Sequence, residues 1–317
     1  AFGDVVVERD ASLAVRAGAA ATVGTATSDG LVLVEGSLNA TSDARLGGSV
    51  VVLGTLRVMN VRCLHVGASE TGFAFVGSGG DFALGEMGAL VVHPCAEAIM
   101  AGRFVALAGS PVVELMPQSL LAFAPLAGGS KHRKHAFEEG ARVVMAHDAV
   151  LDVRVGATVV LAGEVAAAAD GEDASFTVRV AGNLEFGRGA AARISLGSVN
   201  GVLRLNETGT LTGTGVVSDG RVVWAGRVDM RGPTDAVRFD NARVETVRGA
   251  ALDLSWALAP ATDAHAAPVI VAGGASDVRL SPLDVFLRLR PVAAAAAVAV
   301  TRVALVEAIQ GASFKSN

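Results

Sequence analysis

The densest run of groups able to carry charge is Lys131-His132-Arg133-Lys134-His135. Five consecutive protonatable side chains could hold phosphate, sulfate or an acidic glycan, with the histidines tuning affinity near pH ~6.5. Two other uses fit the same residues. They could form a solvated loop balanced by Glu138 and Glu139, or meet an acidic patch on a neighbouring subunit. Only His132 and His135 are spaced as a ligand pair would be on a helix turn, and no carboxylate or cysteine pair accompanies them. His65, His93, His147 and His265 are singletons. A dedicated metal site needs three or four converging ligands, so neither metal nor cofactor is expected.

Carboxylate chemistry would fall to Asp229, Asp235, Asp240 and Asp253, the densest acids expected to face outward. Glycoside cleavage needs two acids facing one groove about 5–10 Å apart, and these four show no tight Asp-Asp or Asn-x-Asp grouping. Sugar-binding platforms use exposed rings. Tyrosine is absent, and Trp224 and Trp256 both fall at inward positions of a period-two pattern. No Gly-x-Ser-x-Gly, P-loop or dinucleotide fingerprint occurs in a strand-to-helix context. The chain therefore reads as no enzyme, the alternative being a polysaccharide lyase or hydrolase. Cys63 and Cys95 could bridge nearby coils in an oxidising compartment and would be two buried thiols in a reducing one. Asn39-Ala40-Thr41 and Asn206-Glu207-Thr208 are glycosylation sequons, with Asn39 expected at a corner. Ala1-Phe2-Gly3-Asp4 reads as a mature end left by signal-peptide removal or as a trimmed start.

The elements that would carry these groups are written as a repeat. Val32-x-Val34-x-Gly36-x-Leu38 recurs as Val50-x-Val52-x-Gly54-x-Leu56, and again at Val159–Val165, Val178–Leu184 and Val222–Val228. Alternating apolar residues point one face of a strand inward. The glycine then permits a positive φ or a tight bend, and the next aliphatic residue resumes burial on a new side. Gly18, Gly36, Gly54 and Gly72 lie 18 residues apart, so one corner is expected to recur in register. A repeat of this period is the mark of a solenoid. The competing architecture is an antiparallel sandwich or barrel with glycine-rich turns.

Composition agrees with the solenoid. The 317 residues include 38 glycines and 51% hydrophobic residues, but only 4% aromatics. A narrow interior is filled by stacked aliphatics of medium size. A net charge of −5 offers no basic field for nucleic acid. Residues 292–314, interrupted by Arg302 and Glu307, make a poor membrane span.

The expectation is an all-β parallel β-helix (β-solenoid) of roughly 18–20-residue coils with irregular insertions. About 15 coils spaced ~4.8 Å apart would give a rod on the order of 70 Å. Residues 1–127 are read as N-terminal coils, 128–140 as a basic and acidic loop excursion, and 141–290 as C-terminal coils. Residues 291–317, with the run Ala293–Ala297, are read as a capping or assembly tail.

The corners Gly-Ser-Leu-Asn, Gly-Thr-Leu-Arg and Gly-Asn-Leu-Glu, each after alternating Val or Leu, resemble those of β-solenoid surface proteins. Autotransporter passengers and adhesin-like repeat proteins of microbes and viruses share this texture. The resemblance implies a parallel β-helix used as a stalk, fibre or coat element, and it carries over no functional residue. The expected role is a structural protein of an extracellular, cell or virion surface that self-assembles into a fibre, layer or coat. The expected partner is the chain itself, with an anionic glycan or acidic protein patch as a further candidate. Alternatives are a polysaccharide-binding or polysaccharide-cleaving β-helix protein, and an adhesin that binds through residues 128–140.

Overall fold

The computed structural model describes residues 5–7, 11–23, 26–40, 44–46, 48–58, 63–67, 73–126, 134–168, 175–187, 192–198, 200–231, 235–254, 270–273, 276–279, 285–289, 306–308 and 313–315. Among these, every regular element is a strand, usually of four residues. The strands are dealt in strict rotation to three sheets of 13, 13 and 12 strands. Sheet 1 starts at Val5–Val7, sheet 2 at Ser12–Val15 and sheet 3 at Ala20–Val23. Every strand pairs in parallel with the strand one coil away, as Leu31–Val34 does with Ser49–Val52. The chain is a three-sided parallel β-solenoid.

The alternating pattern explains why it closes. At the second and fourth positions of most four-residue strands, side chains enter the interior, as Val32, Val34, Leu38, Val50, Val52 and Leu56 do, while His135–Phe137 and Val237–Asp240 bury their first and third residues. Each inward residue sits above its counterpart in the next coil, so the core is a set of continuous columns. Trp224 is one of these inward residues, and its indole Nε1 donates to the Gly226 carbonyl at 3.0 Å. Full burial of a Val or Leu side chain stabilises by roughly 1.5–3 kcal/mol. In the middle of the rod the aliphatic filling gives way to rings: Phe104 lies 5.4 Å from Phe82, 5.7 Å from Phe123 and 5.3 Å from Phe137.

The recurring glycine does a different job from the one its position suggests. Gly36, Gly54, Gly163, Gly182 and Gly226 are absent from the left-handed glycines of the chain. A Cβ on any of them would collide with a backbone carbonyl of the coil beneath, the Ala19 oxygen for Gly36 and the Gly36 oxygen for Gly54. They are glycines because coils approach closely at that corner. Positive φ is needed instead in the four-residue corners, at Gly18, Gly140 and Gly156. Left-handed residues other than glycine share one corner as well: Cys95, Gln118, Asp148, Asp219 and Asn241 all lie between sheet 1 and sheet 2.

Two expected boundaries move. His135–Phe137 is a strand of sheet 3, paired with Thr158–Leu161, so the excursion expected over 128–140 ends before it. Val306–Ala308 and Ser313–Lys315 extend sheets 1 and 2, so the expected tail adds to the stack. Ala293–Ala297 lies outside the described residues. Thirteen layers at ~4.8 Å span about 58 Å. The stack is shorter than the repeat alone implies because corners lengthen many coils: Ala26 pairs with Ala44, but Val112 pairs with Arg142.

Candidate functional site

A solenoid presents its first and third strand positions to the outside, and the three sheets differ in what they place there. Sheet 3 shows Ser37, Asn39, Thr55, Arg57, Asp81 and Arg103, a mostly polar face interrupted by Ala83 and Val105. Sheet 1 is mixed, with His65, Glu114, Arg142, Glu164 and Arg193. Sheet 2 is divided lengthwise. From Leu31–Val34 through Val150–Val153 its outward positions are Leu31, Leu33, Ser49, Val51, Phe73, Phe75, Glu97, Ile99, Leu120, Ala122, Val150 and Asp152. Nine of these twelve are apolar, and all of the nine but the fully buried Ala122 reach the surface at least in part. Leu31 and Phe73 remain 41% and 43% exposed, although both belong to regular strands in the middle of a face. Leu53, at the bordering corner, is also exposed.

Beyond Val150 the same face becomes charged. Asp152 faces Arg179, Arg179 faces Arg204, and Arg221 faces Arg243 in the ladder. Arg221 donates to Glu245 Oε2 at 2.6 Å from Nη2 and 3.1 Å from Nε, while Arg243 approaches Glu245 Oε1 at 2.7 Å. The Arg221 hydrogen bonds, helped by the Arg243 charge and opposed by partial burial, hold the Glu245 carboxyl below its usual range. One sheet thus carries a dry half and a basic half end to end.

The groups singled out from the sequence are dispersed. Lys131, His132 and Arg133 lie outside the described residues. Lys134 Nζ donates to Glu185 Oε2 at 2.6 Å, so its charge is engaged on sheet 3. His135 takes an inward slot of a strand and is fully buried, its ring 4.9 Å from that of Phe123. It therefore cannot join a solvent-facing anion site. Its Nε2 donates to the Ala124 carbonyl at 2.9 Å while Nδ1 is buried without a hydrogen-bond partner. Burial pushes the His135 pKa below the ordinary value, against a smaller opposite effect from the Ala124 bond.

No disulfide joins Cys63 and Cys95. Cys63 begins a strand of sheet 1, whereas Cys95 occupies a left-handed corner position and donates to Gln118 Oε1 at 3.4 Å. Asn39 is not at a corner: it is the third residue of strand Ser37–Ala40, between Thr22 and Arg57, with its Oδ1 buried. The period-two pattern places it there, since Leu38 and Ala40 must both point inward. Asn206 does open a corner, whose Thr208 hydroxyl donates to the Ala181 carbonyl at 2.8 Å.

Of the four aspartates, only Asp229 and Asp253 are ladder neighbours, on adjacent strands of sheet 3, with Asp253 fully buried. Asp240 lies on sheet 1 against Arg238, Asp229 and Asp253 lie on sheet 3 against Arg231 and Arg227, and Asp235 accepts from the Arg231 amide. His65 and His93, far apart in sequence, meet with Nδ1 and Nε2 3.0 Å apart. Among the described residues no three His, Cys, Asp or Glu side chains are grouped as metal ligands, and no helix is long and apolar enough to cross a membrane.

The divided face of sheet 2 does not follow from the inward period-two pattern, which specifies only the second and fourth strand positions. Its signal is nonetheless in the sequence, as strands such as Leu31-Val32-Leu33-Val34 and Phe73-Ala74-Phe75-Val76 that are apolar at all four positions.

Comparison with known proteins adds little. No family model matches the chain, and no curated protein matches it. Among solved structures, the crystal structure of the TibC-catalysed hyper-glycosylated TibA 55–350 fragment aligns over 93% of this chain and 98% of its own, at 15% identity and a TM-score of 0.25. So poor a superposition does not bear on activity or partners.

Proposed function

We propose that this chain is a non-enzymatic structural protein of an extracellular or particle surface, a rigid β-solenoid rod that self-assembles into a fibre, layer or coat. The observation that carries the reading is the apolar outer half of sheet 2, where eight apolar side chains on six successive strands face outward from an already complete core. Large apolar patches on a soluble surface mark contacts with other molecules. A repeat scaffold with such a strip along its length is suited to side-by-side association.

The reading is further supported by the use made of the acids. Asp229, Asp240 and Asp253 each face an arginine, an arrangement suited to holding the outer surface together. Negative-stain electron microscopy of the purified protein over a range of concentrations tests the proposal. Filaments or sheets built from units about 58 Å long are expected. Isolated rods that never associate at any concentration overturn it.

A further inference from the structure

We propose that the apolar half of sheet 2 is a self-complementary surface on which a second copy of this chain docks face to face, with the two rods running in opposite directions. This rests on the self-assembly reading and names the face and orientation it would use.

The face is a row of six strands whose first and third residues are mostly apolar from Leu31 to Val150, interrupted by Ser49 and Glu97 and bounded by Asp152 on the last strand. Aligned sheets pack face to face at about 10 Å through side chains of this kind. Six strands at ~4.8 Å and a width of four residues plus the Leu53 corner give a footprint on the order of 500 Å² per copy. Two copies would then bury about 1,000 Å², the size of weak, concentration-dependent interfaces. The occupant is accordingly one held at high local concentration, and neighbouring copies in an assembly meet that condition.

The charge pattern chooses the orientation. Were two rods to face each other in the same direction, the exposed Arg179, Arg204, Arg221 and Arg243 of one would lie against the same four residues of the other. Like charges directly opposed are destabilising. Reversing one rod about a two-fold axis across the strip keeps most apolar residues on apolar residues, with Glu97 set opposite Phe73, Ser49 opposite Leu120 and Asp152 opposite Leu33. It also carries the two arginine rows out at opposite ends. That axis lies between strands Phe73–Val76 and Glu97–Met100. It places Phe75 opposite the partner copy's Ile99 position and Leu31 opposite its Val150 position.

The pairing of Leu31 with Val150 makes the proposal testable in the full chain. Both side chains point outward from intact strands, and they are five coils apart, too far to interact within one copy. Sedimentation velocity over a concentration series is measured for the unaltered chain, Leu31→Asp, Val150→Lys and the double variant, with circular dichroism confirming an unchanged fold. Each single charge is expected to weaken association about tenfold, a modest change in binding free energy. The double variant, which sets Asp against Lys twice per pair, should restore it to within about threefold of the original. Single variants that weaken association without rescue in the double variant overturn the reversed orientation. An unaltered chain that assembles, with single variants that assemble equally well, overturns this interface and leaves self-assembly standing. Rods that stay single at every concentration overturn both readings. Single rods that instead float with phosphatidylcholine vesicles, unless Leu31→Asp is present, assign the face to a lipid surface and also overturn the proposal.

Discussion

At the scale of single residues, the glycine and the histidine that matter most are constrained by what surrounds them. Gly54 has no room for a methyl group, because the Gly36 and Glu35 carbonyls of the coil beneath occupy the space. Gly54→Ala should lower stability by about 1–3 kcal/mol, as overpacking does. Gly79→Ala, whose added carbon would meet nothing closer than the Leu53 carbonyl at 3.7 Å, should change the thermal midpoint little. Equal effects in the two melts would refute the close-approach argument. His135 is buried and neutral, with a pKa held below its ordinary value by desolvation. The unfolded chain then binds the proton more readily, so stability is complete above about pH 6.5. It falls as pH drops from there toward the lowered folded value, by up to about 1.4 kcal/mol per pH unit. Urea midpoints at pH 7.5 and 5.0 should diverge in the unaltered chain and converge in His135→Leu. Persistence of the full difference in that variant would assign it to other groups.

At the scale of elements, short parallel strands owe their stability to the columns they build with neighbouring coils. The ring cluster shows this most clearly. Phe104 sits on sheet 3 and touches Phe82 below it, Phe137 above it and Phe123 across the interior. Phe104→Ala should cost about 3–5 kcal/mol, and the denaturant midpoint should fall accordingly. A loss under about 1 kcal/mol would mean that the neighbouring rings collapse into the space. Corners tolerate far more variety than strands. The corner between sheets 1 and 2 holds left-handed Cys95, Gln118 and Asp148 at the third place of four-residue corners, and Asp219 and Asn241 at the first place of two-residue corners. Among these, Asp and Asn adopt the left-handed region most readily. Corner lengths vary freely because a loop leaving the stack need only return in register with the next strand.

At the scale of the whole molecule, the described strands form one continuous three-sided rod of 13 layers. A rod differs from a globule in having long faces, and each face can carry its own pattern over tens of ångströms. Sheet 3 is mostly polar, sheet 1 mixed, and sheet 2 dry along one half and basic along the other. A chain that associates through one face should form pairs or ribbons in preference to three-dimensional aggregates. Electron micrographs in which the lateral repeat is two rods wide would agree with this, and isotropic clusters would contradict it.

The sequence by itself determined the solenoid. Period-two apolar residues such as Val32 and Val34, or Val178 and Val180, must point the same way, and a glycine followed by Leu38 or Leu184 must turn the chain and bury again. Such local rules hold whatever the rest of the molecule does, so the strands, the inward set and Trp224 were legible. Other features depended on which coils lie next to which. Only the stacked structure showed that Gly36 and Gly54 yield to carbonyls of the preceding coil and that His135 belongs to the core. It alone brought His65 to His93 and set Arg179 beside Arg204. The outer strip of sheet 2 stands between these cases. Its all-apolar strands are visible in the sequence, but only the register between coils aligns Leu33, Val51, Phe75 and Ile99 into one surface. Register is set by the lengths of the loops between strands, which no periodicity encodes.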